Sequence, residues 1–355
     1  MDFQLKQRGR ALIDFEVSAR QAASRLHRDV EALLSERGLD ADHLPEDLEE
    51  RHAVIEAALD SSNLYGTRVL LGEWCAKHHG LACHEAFAEV RSELEPKILA
   101  LNVGASTVTE TPGFEPPSYY SKVWFHRTHG GWDGDPLMGF IHGELVHKKY
   151  VAKVFPGDVY AVRKQVTDLA PRRDYGKILE IGTSSGHYTK VLAEEFPQAE
   201  IWGIDPSRAM LDQAQRVGNE AGQAWKLFVG VGENLPFEDA SFDLVTSYAV
   251  HHEIPPRIID AFFREAMRVL KPGGDLIMAD VTRTAELDRM QAWSFDWSAK
   301  WGGEPYWRVT AALDFAQSAA TAGFVNIQTQ SVGPSKAYCI TARKPRAQTK
   351  TETPA

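Results

Sequence analysis

The sequence predicts an α/β fold in which a largely parallel sheet of seven strands is covered by helices on both faces and preceded by a helical region. From residue 177 onward, short apolar stretches alternate with amphipathic ones at the interval that strand–helix–strand units require. Before that point, apolar residues recur every three to four positions, which is the spacing of one helix face. The chain has 355 residues, of which 43% are hydrophobic, so we expect two lobes with a core each.

The first hundred residues are predicted to form four helices, and we place a helical N-terminal domain at residues 1–115. Apolar residues mark these helices at 13–34, 48–59, 69–74 and 87–94. Thr, Pro and Gly between Gly104 and Tyr120 predict a connecting loop.

A connecting segment is predicted at residues 116–170, aromatic at its start and helical from about Leu137 to Leu169. Gly130 and Gly131 permit hinge motion and aromatic rings exclude water, so the segment suits a lid over a substrate. Ordinary packing between two domains explains the same rings equally well.

The remaining chain carries the alternating pattern, and we place a ligand-binding domain at residues 171–343 and a disordered tail at 344–355. The predicted strands are 178–181, 201–204, 226–230, 242–247, 276–280, 325–330 and 338–341. The predicted helices between them are 188–195, 207–217, 258–270 and 311–322. No helix separates the last two strands, so they should form an antiparallel hairpin at the end of the sheet.

Composition excludes several classes of function. The net charge of −10 and the pI near 5.7 argue against a nucleic-acid partner, because such binding needs clustered Lys and Arg. No apolar run is long enough for a signal peptide or a membrane span, so we expect no membrane partner. The three cysteines are too few and too unevenly placed for a disulfide framework. We therefore expect a cytoplasmic protein with a small-molecule substrate.

Two acids that end neighbouring strands predict a nucleotide-type pocket. The strand beginning at Lys177 runs through Glu180 into a turn that contains Gly182 and Gly186, and the next strand ends at Asp205. A tight turn between strand and helix lets backbone N–H groups approach a ligand, and an acid at the end of the following strand can accept both ribose hydroxyls. The pair of signals is far more specific than a glycine-rich turn alone.

These residues resemble the class I S-adenosylmethionine-dependent methyltransferases, which have a Rossmann-like, seven-stranded sheet ending in an antiparallel hairpin. Four stretches in the family's order carry the resemblance, which covers residues 177 to 343. They are the strand and turn from Lys177 to Gly186, the stretch Gly230 to Phe237, the stretch Ser241 to Val245, and the stretch Arg268 to Gly274.

The resemblance implies S-adenosylmethionine as cofactor and assigns roles around it. Glu180 with the turn Gly182, Ser184 and Gly186 would hold the methionine part, Asp205 the ribose, Gly232 and Glu233 the adenine, and Tyr248 would form a wall. Two positions depart from the family pattern. Ser184 stands where a glycine is usual, which leaves less room beside the ligand. Val231 stands where an acid often contacts the adenine amine, so that Glu233 or Asn234 would have to serve, or the contact is lost.

His251 and His252 are the candidate catalytic residues. They follow the fourth strand of the predicted domain, at the edge where substrate would meet cofactor, and histidine is the side chain best suited to accept a proton near neutral pH. Glu253 would orient the base. The alternative is that both histidines merely line the pocket.

A cluster of cysteines and histidines near residue 80 suggests a metal site, but the spacing of its members does not support one. Its members are Cys75, His78, His79, Cys83 and His84. Thiolate and imidazole groups are zinc ligands, but the spacing matches no familiar pair. We expect no metal here, and we interpret His126, His129, His142 and His147 as structural.

The leading hypothesis is an enzyme that methylates a small-molecule metabolite by in-line displacement, with the N-terminal helices as a roof and a surface for homodimerisation. A protein that uses the fold as a binding scaffold, or for other chemistry, is the alternative. A methyltransferase acting on protein or nucleic acid ranks lower, because the charge is acidic and no Asn-Pro-Pro-Tyr type motif is present.

Overall fold

The computed structural model describes residues 2–155 and 158–346 and confirms the α/β architecture. Eight strands form one sheet in the order β1-β4-β3-β2-β5-β6-β8-β7. The strands are β1 Thr107–Glu110, β2 Lys177–Ile181, β3 Glu200–Asp205, β4 Lys226–Val229, β5 Phe242–Tyr248, β6 Leu270–Asp280, β7 Val325–Val332 and β8 Ala337–Arg343. The strands β1 to β6 pair in parallel, whereas β8 is antiparallel to β6 and β7, which confirms the predicted hairpin.

Strand β1 was not predicted, so the sheet has eight strands and not the seven expected. Residues Thr107–Glu110 were predicted as part of a loop, but they pair in parallel with Lys226–Val229 at one edge of the sheet. Their side chains are mostly exposed, so this edge strand has no apolar run to reveal it. The β-branched residues Thr107, Val108 and Thr109 still favour an extended backbone.

Helices cover both faces of the sheet and form the N-terminal layer. They are α1 Gln7–Glu36, α2 Leu48–Leu59, α3 Asn63–Ala88, α4 Arg91–Ala100, α5 Ser118–Ser121, α6 Met138–Phe140, α7 Ala152–Val154, α8 Val159–Asp168, α9 His187–Glu195, α10 Arg208–Glu220, α11 Pro256–Val269, α12 Arg289–Gly302, α13 Trp307–Thr310 and α14 Phe315–Thr321. A π-helix spans Ile141–Val151, and 3₁₀ turns span Phe125–Arg127, Gly131–Asp133, His251–Glu253 and Thr284–Glu286.

Three helix predictions differ from the structure. The helix expected over 137–169 is divided into α6, the π-helix, α7 and α8. The helix expected over 311–322 begins only at Phe315, because Asp314 caps its first turn by accepting a hydrogen bond from Ala316 N. Helix α12 was not predicted.

The N-terminal helices dock onto the chain that follows β6. Trp293 of α12 is fully buried against Leu34 of α1 and Ile55 of α2, and the guanidinium of Arg68 lies 3.3 Å from the ring centroid of Trp297. Because β6 ends at the carboxyl edge of the sheet, this packing places the N-terminal layer beside that edge.

Two predictions concern the chain as a whole. Within the described ranges, no helix combines the length and the apolar character needed to cross a bilayer. The predicted disordered tail, residues 344–355, lies outside the described residues from 347 onward.

Candidate functional site

Glu180 lies near the end of β2, at the centre of the sheet. Its side chain is buried, and the hydroxyl of Thr189 on α9 donates a hydrogen bond to Glu180 Oε2 at 2.5 Å. Burial in this apolar surrounding raises the pKa of Glu180 to about 8, against which the hydrogen bond from Thr189 acts only partly. Glu180 is therefore a carboxyl group that is easily protonated at neutral pH.

This pKa predicts how stability depends on pH. A carboxyl group whose pKa is higher in the folded than in the unfolded chain stabilises the fold at low pH, and that contribution is lost as pH rises towards the folded value. We expect Glu180 alone to lower the free energy of unfolding by about 2 kcal/mol between pH 6 and pH 8. Urea titrations of the wild type and of Glu180→Gln at both pH values measure this, since Gln does not titrate. Equal pH slopes for the two proteins would contradict the prediction.

Asp205 ends β3 and organises the turn that follows β2. Its Oδ2 accepts a hydrogen bond from Ser184 N at 2.8 Å and its Oδ1 accepts one from Ser207 N at 2.9 Å. Burial raises the pKa of Asp205 to about 6, although these two backbone donors oppose the shift. Each oxygen keeps one lone pair for a further donor, such as a ribose hydroxyl.

The turn between β2 and α9 has the backbone shape that glycine favours. Gly182, Ser184 and Gly186 have φ values of +82°, +48° and +85°. A Cβ at Gly182 would lie 2.2 Å from Cγ2 of Val250, so only glycine fits there. Ser184 thus adopts a left-handed conformation that glycine adopts more easily, at a cost of about 1 kcal/mol in strain.

The turn after β4 contains the residues assigned to the adenine. A Cβ at Gly232 would lie 2.5 Å from the ring of Phe262. Glu233 Oε1 accepts a hydrogen bond from the hydroxyl of Tyr119 at 2.5 Å, and burial together with this bond raises the pKa of Tyr119, so the phenol stays a donor. Tyr119 belongs to residues 119–133, which we call the aromatic segment.

The aromatic segment lies directly over the carboxyl ends of the strands. Tyr120 donates a hydrogen bond to Asp133 Oδ2 at 2.6 Å, and Asp133 Oδ1 accepts one from the hydroxyl of Ser207 at 2.9 Å. Trp132 Nε1 donates to Glu253 Oε2 at 3.3 Å. The segment therefore contacts Glu233, which was assigned to the adenine, and Ser207 and Glu253, which lie close in sequence to the assigned ribose and catalytic residues.

The ring of His251 packs against three phenylalanine rings of the core. Its ring centroid lies 4.7 Å, 5.8 Å and 4.8 Å from those of Phe262, Phe263 and Phe315, and the residue has no exposed surface. Its Nδ1 lies 3.3 Å from Oδ2 of Asp280, the last residue of β6. Its Nε2 has no hydrogen-bond partner among the described residues.

His252 is held by the same carboxylate. Its Nδ1 lies 2.8 Å from Asp280 Oδ1. The residue that orients the ring is therefore Asp280, whereas the sequence had indicated Glu253. Burial disfavours charge on the ring, but Asp280, with Glu304 and Glu253 nearby, raises the pKa of His252 to about 10. His252 therefore carries a positive charge at neutral pH and is a hydrogen-bond donor.

The residues present fit the cofactor that the resemblance implies. At the carboxyl ends of the strands, Ser247 Oγ and Thr183 Oγ1 are buried and have no hydrogen-bond partner among the described residues, so both offer contacts to a polar ligand. Tyr248 ends β5 beside them, with its ring centroid 5.5 Å from that of Tyr188. The glycine turn and the acids Glu180 and Asp205 complete the same edge.

Sequence reasoning missed two residues of this site. Asp280 ends a strand at the carboxyl edge just as Asp205 does, so the same signal could have found it. Asp133 carries no such signal, because its contact with Ser207 depends on how the aromatic segment folds back.

The cysteines and histidines clustered on α3 make contacts within their own helix. Cys75 and Cys83 are buried, and the Nδ1 atoms of His78 and His79 lie 2.8 Å and 2.9 Å from the carbonyl oxygens of Trp74 and Cys75, one helical turn before them.

Comparisons with known proteins place the chain in a family. A family model described as a methyltransferase domain matches residues 178–274. A malonyl-[acyl-carrier protein] O-methyltransferase of Legionella pneumophila is 33% identical over 132 residues, which are 37% of this chain and 44% of the relative. A phthiotriol/phenolphthiotriol dimycocerosates methyltransferase 1 of Mycobacterium ulcerans is 33% identical over 36% of this chain and 44% of its own length.

The chain thus spans less than half the length of these two relatives. A demethylmenaquinone methyltransferase of Geobacillus sp. is 30% identical over 173 residues, and this alignment covers 44% of the chain and 73% of the relative. Together with the order of strands, turns and acids, this relationship shows that the chain belongs to the class I S-adenosylmethionine-dependent methyltransferase family, whose cofactor is S-adenosylmethionine.

Proposed function

We propose that this protein transfers the methyl group of S-adenosylmethionine to a small-molecule acceptor. The observation that carries the proposal is the alignment of Glu180, Asp205 and Glu233 along the carboxyl edge of the sheet, under an aromatic segment that is hydrogen-bonded to Glu233 and Glu253. Such an enclosed edge can hold a cofactor and an acceptor together while excluding water.

The chain's own residues bind, orient and exclude water. Bound S-adenosylmethionine supplies an electrophilic methyl group on a positively charged sulfur. The turn from Gly182 to Gly186 and the carboxylate of Asp205 hold the donor side, and the aromatic segment acts as the lid that keeps the acceptor side dry. Most of the rate enhancement then comes from positioning.

His252, rather than His251, is the histidine that we assign to the acceptor. The Asp280 hydrogen bond holds its ring in one orientation, and its positive charge favours the deprotonated form of a nearby acceptor hydroxyl. The general-base role predicted for His251 or His252 remains a prediction. The positive charge on His252 favours a role as hydrogen-bond donor instead.

Alanine variants of the two histidines distinguish a role in the reaction from a role in stability. We expect His252→Ala to lower kcat about a hundredfold with S-adenosylmethionine affinity close to that of the wild type. His251→Ala should instead lower the free energy of unfolding by about 2–3 kcal/mol, because it leaves a cavity among three phenylalanine rings. Turnover and urea unfolding of both variants check this. Wild-type turnover in His252→Ala would show that His252 takes no part in the reaction.

The acceptor is best sought without assumptions about its identity. The protein is incubated with isotopically labelled S-adenosylmethionine and a metabolite extract, and mass spectrometry identifies the compounds that gain the label. The relative named as an O-methyltransferase of a carrier-bound malonyl group makes an oxygen acceptor the first to test. If no compound gains label although calorimetry shows cofactor binding, the scaffold alternative replaces this proposal.

Homodimerisation through the N-terminal helices is part of the proposal. Phe15 of α1 and Leu70, Trp74 and Leu81 of α3 are large apolar side chains exposed on this layer, which supports an interface there.

A further inference from the structure

We propose that His126, Glu253 and Glu304 form a binding site for one divalent transition-metal ion, of the class of Mn²⁺, Co²⁺ or Zn²⁺. Each residue offers one ligand atom, and the three atoms lie within 4.8 Å of one another. His126 Nδ1 is 2.7 Å from Glu304 Oε1, and its Nε2 is 3.7 Å from Glu253 Oε1. Each carboxylate thus lies beside a different nitrogen of the same imidazole.

Three separate segments hold these ligands in place. His126 lies in the aromatic segment, Glu253 follows β5, and Glu304 follows α12. Arg127 Nε donates a hydrogen bond to the carbonyl oxygen of Trp301 at 3.0 Å, which ties the first segment to the third. The cluster is therefore a product of the tertiary fold.

The backbone around the cluster is tightly constrained. His126 and Arg127 have φ values of +50° and +55°, a left-handed conformation that is unfavourable for residues other than glycine. A Cβ at Gly303, which has a φ of +83°, would lie 2.8 Å from Arg127 N. The close approach at Gly303 brings Glu304 to the histidine.

The buried environment of the Glu304 carboxylate points to a ligand. Its side chain has no exposed surface. Oε1 is paired with His126 Nδ1 at 2.7 Å, whereas Oε2 has no hydrogen-bond partner among the described residues. A buried carboxylate oxygen without a partner is unfavourable, so a cation bound between Glu304 and Glu253 would satisfy both groups. The side chains of His126 and Glu253 remain 35% and 24% exposed, which leaves an ion a route from solvent.

The ligand set defines the kind of ion and its use. Imidazole with two carboxylates suits borderline metals such as Zn²⁺, Mn²⁺ and Co²⁺, and three protein ligands leave coordination positions open. Glu253 also accepts the hydrogen bond from Trp132 of the aromatic segment, so the site borders the acceptor side of the crevice. Resting on the proposed function, the inference extends to the substrate class, which is an acceptor with an oxygen atom that coordinates the ion.

Cobalt titration of the full-length, chelator-treated protein tests the site. We expect one equivalent of Co²⁺ to bind, with a visible absorption band from the bound ion and a measurable heat in calorimetry. Glu304→Gln and Glu253→Gln should each weaken binding at least tenfold. Glu16→Gln is the matched control, because Glu16 is a buried carboxylate on α1 with an oxygen that also lacks a partner among the described residues, and it should bind Co²⁺ like the wild type.

Cofactor binding is measured separately, by calorimetry with S-adenosylmethionine in the absence of metal. Loss of cofactor binding would then count against the proposed function, whereas loss of Co²⁺ binding alone would count against the metal site. Circular dichroism confirms that each variant is folded, and the more exposed Glu253 provides a second variant if Glu304→Gln unfolds. Absence of Co²⁺ binding at millimolar concentration, or equal affinity in both glutamine variants and the wild type, would overturn the proposal.

Discussion

Asp205→Asn is expected to weaken S-adenosylmethionine binding by about a hundredfold. The carboxylate accepts backbone hydrogen bonds from Ser184 and Ser207 and retains lone pairs for the ribose. Hydrogen bonds to a charged acceptor contribute about 1.5–3 kcal/mol each, and about 1.4 kcal/mol corresponds to a tenfold change in affinity. An amide NH₂ group cannot accept, so the substitution removes at least one backbone contact and one contact to the ligand.

Calorimetry with S-adenosylmethionine measures the loss. Asp212→Asn is the matched control, because Asp212 lies on α10 with its carboxylate 2.7 Å from Arg208 Nε and is partly exposed. We expect this control to bind the cofactor like the wild type. Equal affinities for the wild type and Asp205→Asn would show that the cofactor is not held at the end of β3.

Asp280→Asn is expected to give the largest loss of stability, about 3–5 kcal/mol in the free energy of unfolding. The carboxylate accepts hydrogen bonds from the backbone N–H groups of Val250, His251 and Val281, at 2.9 Å, 2.6 Å and 2.7 Å, and lies 2.8 Å from His252 Nδ1. Burial opposes its ionisation, yet the two histidines hold the pKa of Asp280 far below its usual range. Neutralising it would deprive the buried charge on His252 of its hydrogen-bonded counterion.

Urea or guanidinium unfolding measures this effect. Asp243 provides the control, because its carboxylate also accepts two backbone hydrogen bonds, from Gly176 and Lys177, and pairs with Lys271 at 2.9 Å. It is partly exposed, so water can replace its partners, and Asp243→Asn should cost only about 1 kcal/mol. Similar losses in the two variants would mean that burial of Asp280 has no special importance.

The parts of the site that could be predicted are local in sequence. Glu180, the turn from Gly182 to Gly186 and Asp205 lie on one strand–helix–strand unit, and the spacing within such a unit determines where they meet. The alternation of strands also predicted the parallel sheet and its antiparallel end. The strand Thr107–Glu110 was not predicted, because an exposed edge strand needs no apolar pattern.

The histidines show the limit of a local interpretation. The position of His251 and His252 after β5 was correctly predicted, but the direction of each ring was not. His251 lies among phenylalanine rings of the core, and His252 is oriented by Asp280, which belongs to another strand. Neighbouring residues in a turn point in different directions, and only the surrounding packing decides which one meets the crevice.

The sequence by itself determined the alternation of strands and helices and the acids near the ends of neighbouring strands at one edge of the sheet, because both follow from short-range patterns of apolar residues and glycines. Its motifs also carried the resemblance to the family. Only the tertiary structure decided how the aromatic segment lies over that edge and how His126 meets Glu253 and Glu304. Those contacts join segments far apart in the chain, and no local preference of either segment encodes them. They exist because burying the rings of one segment against another is favourable only when the whole fold has formed.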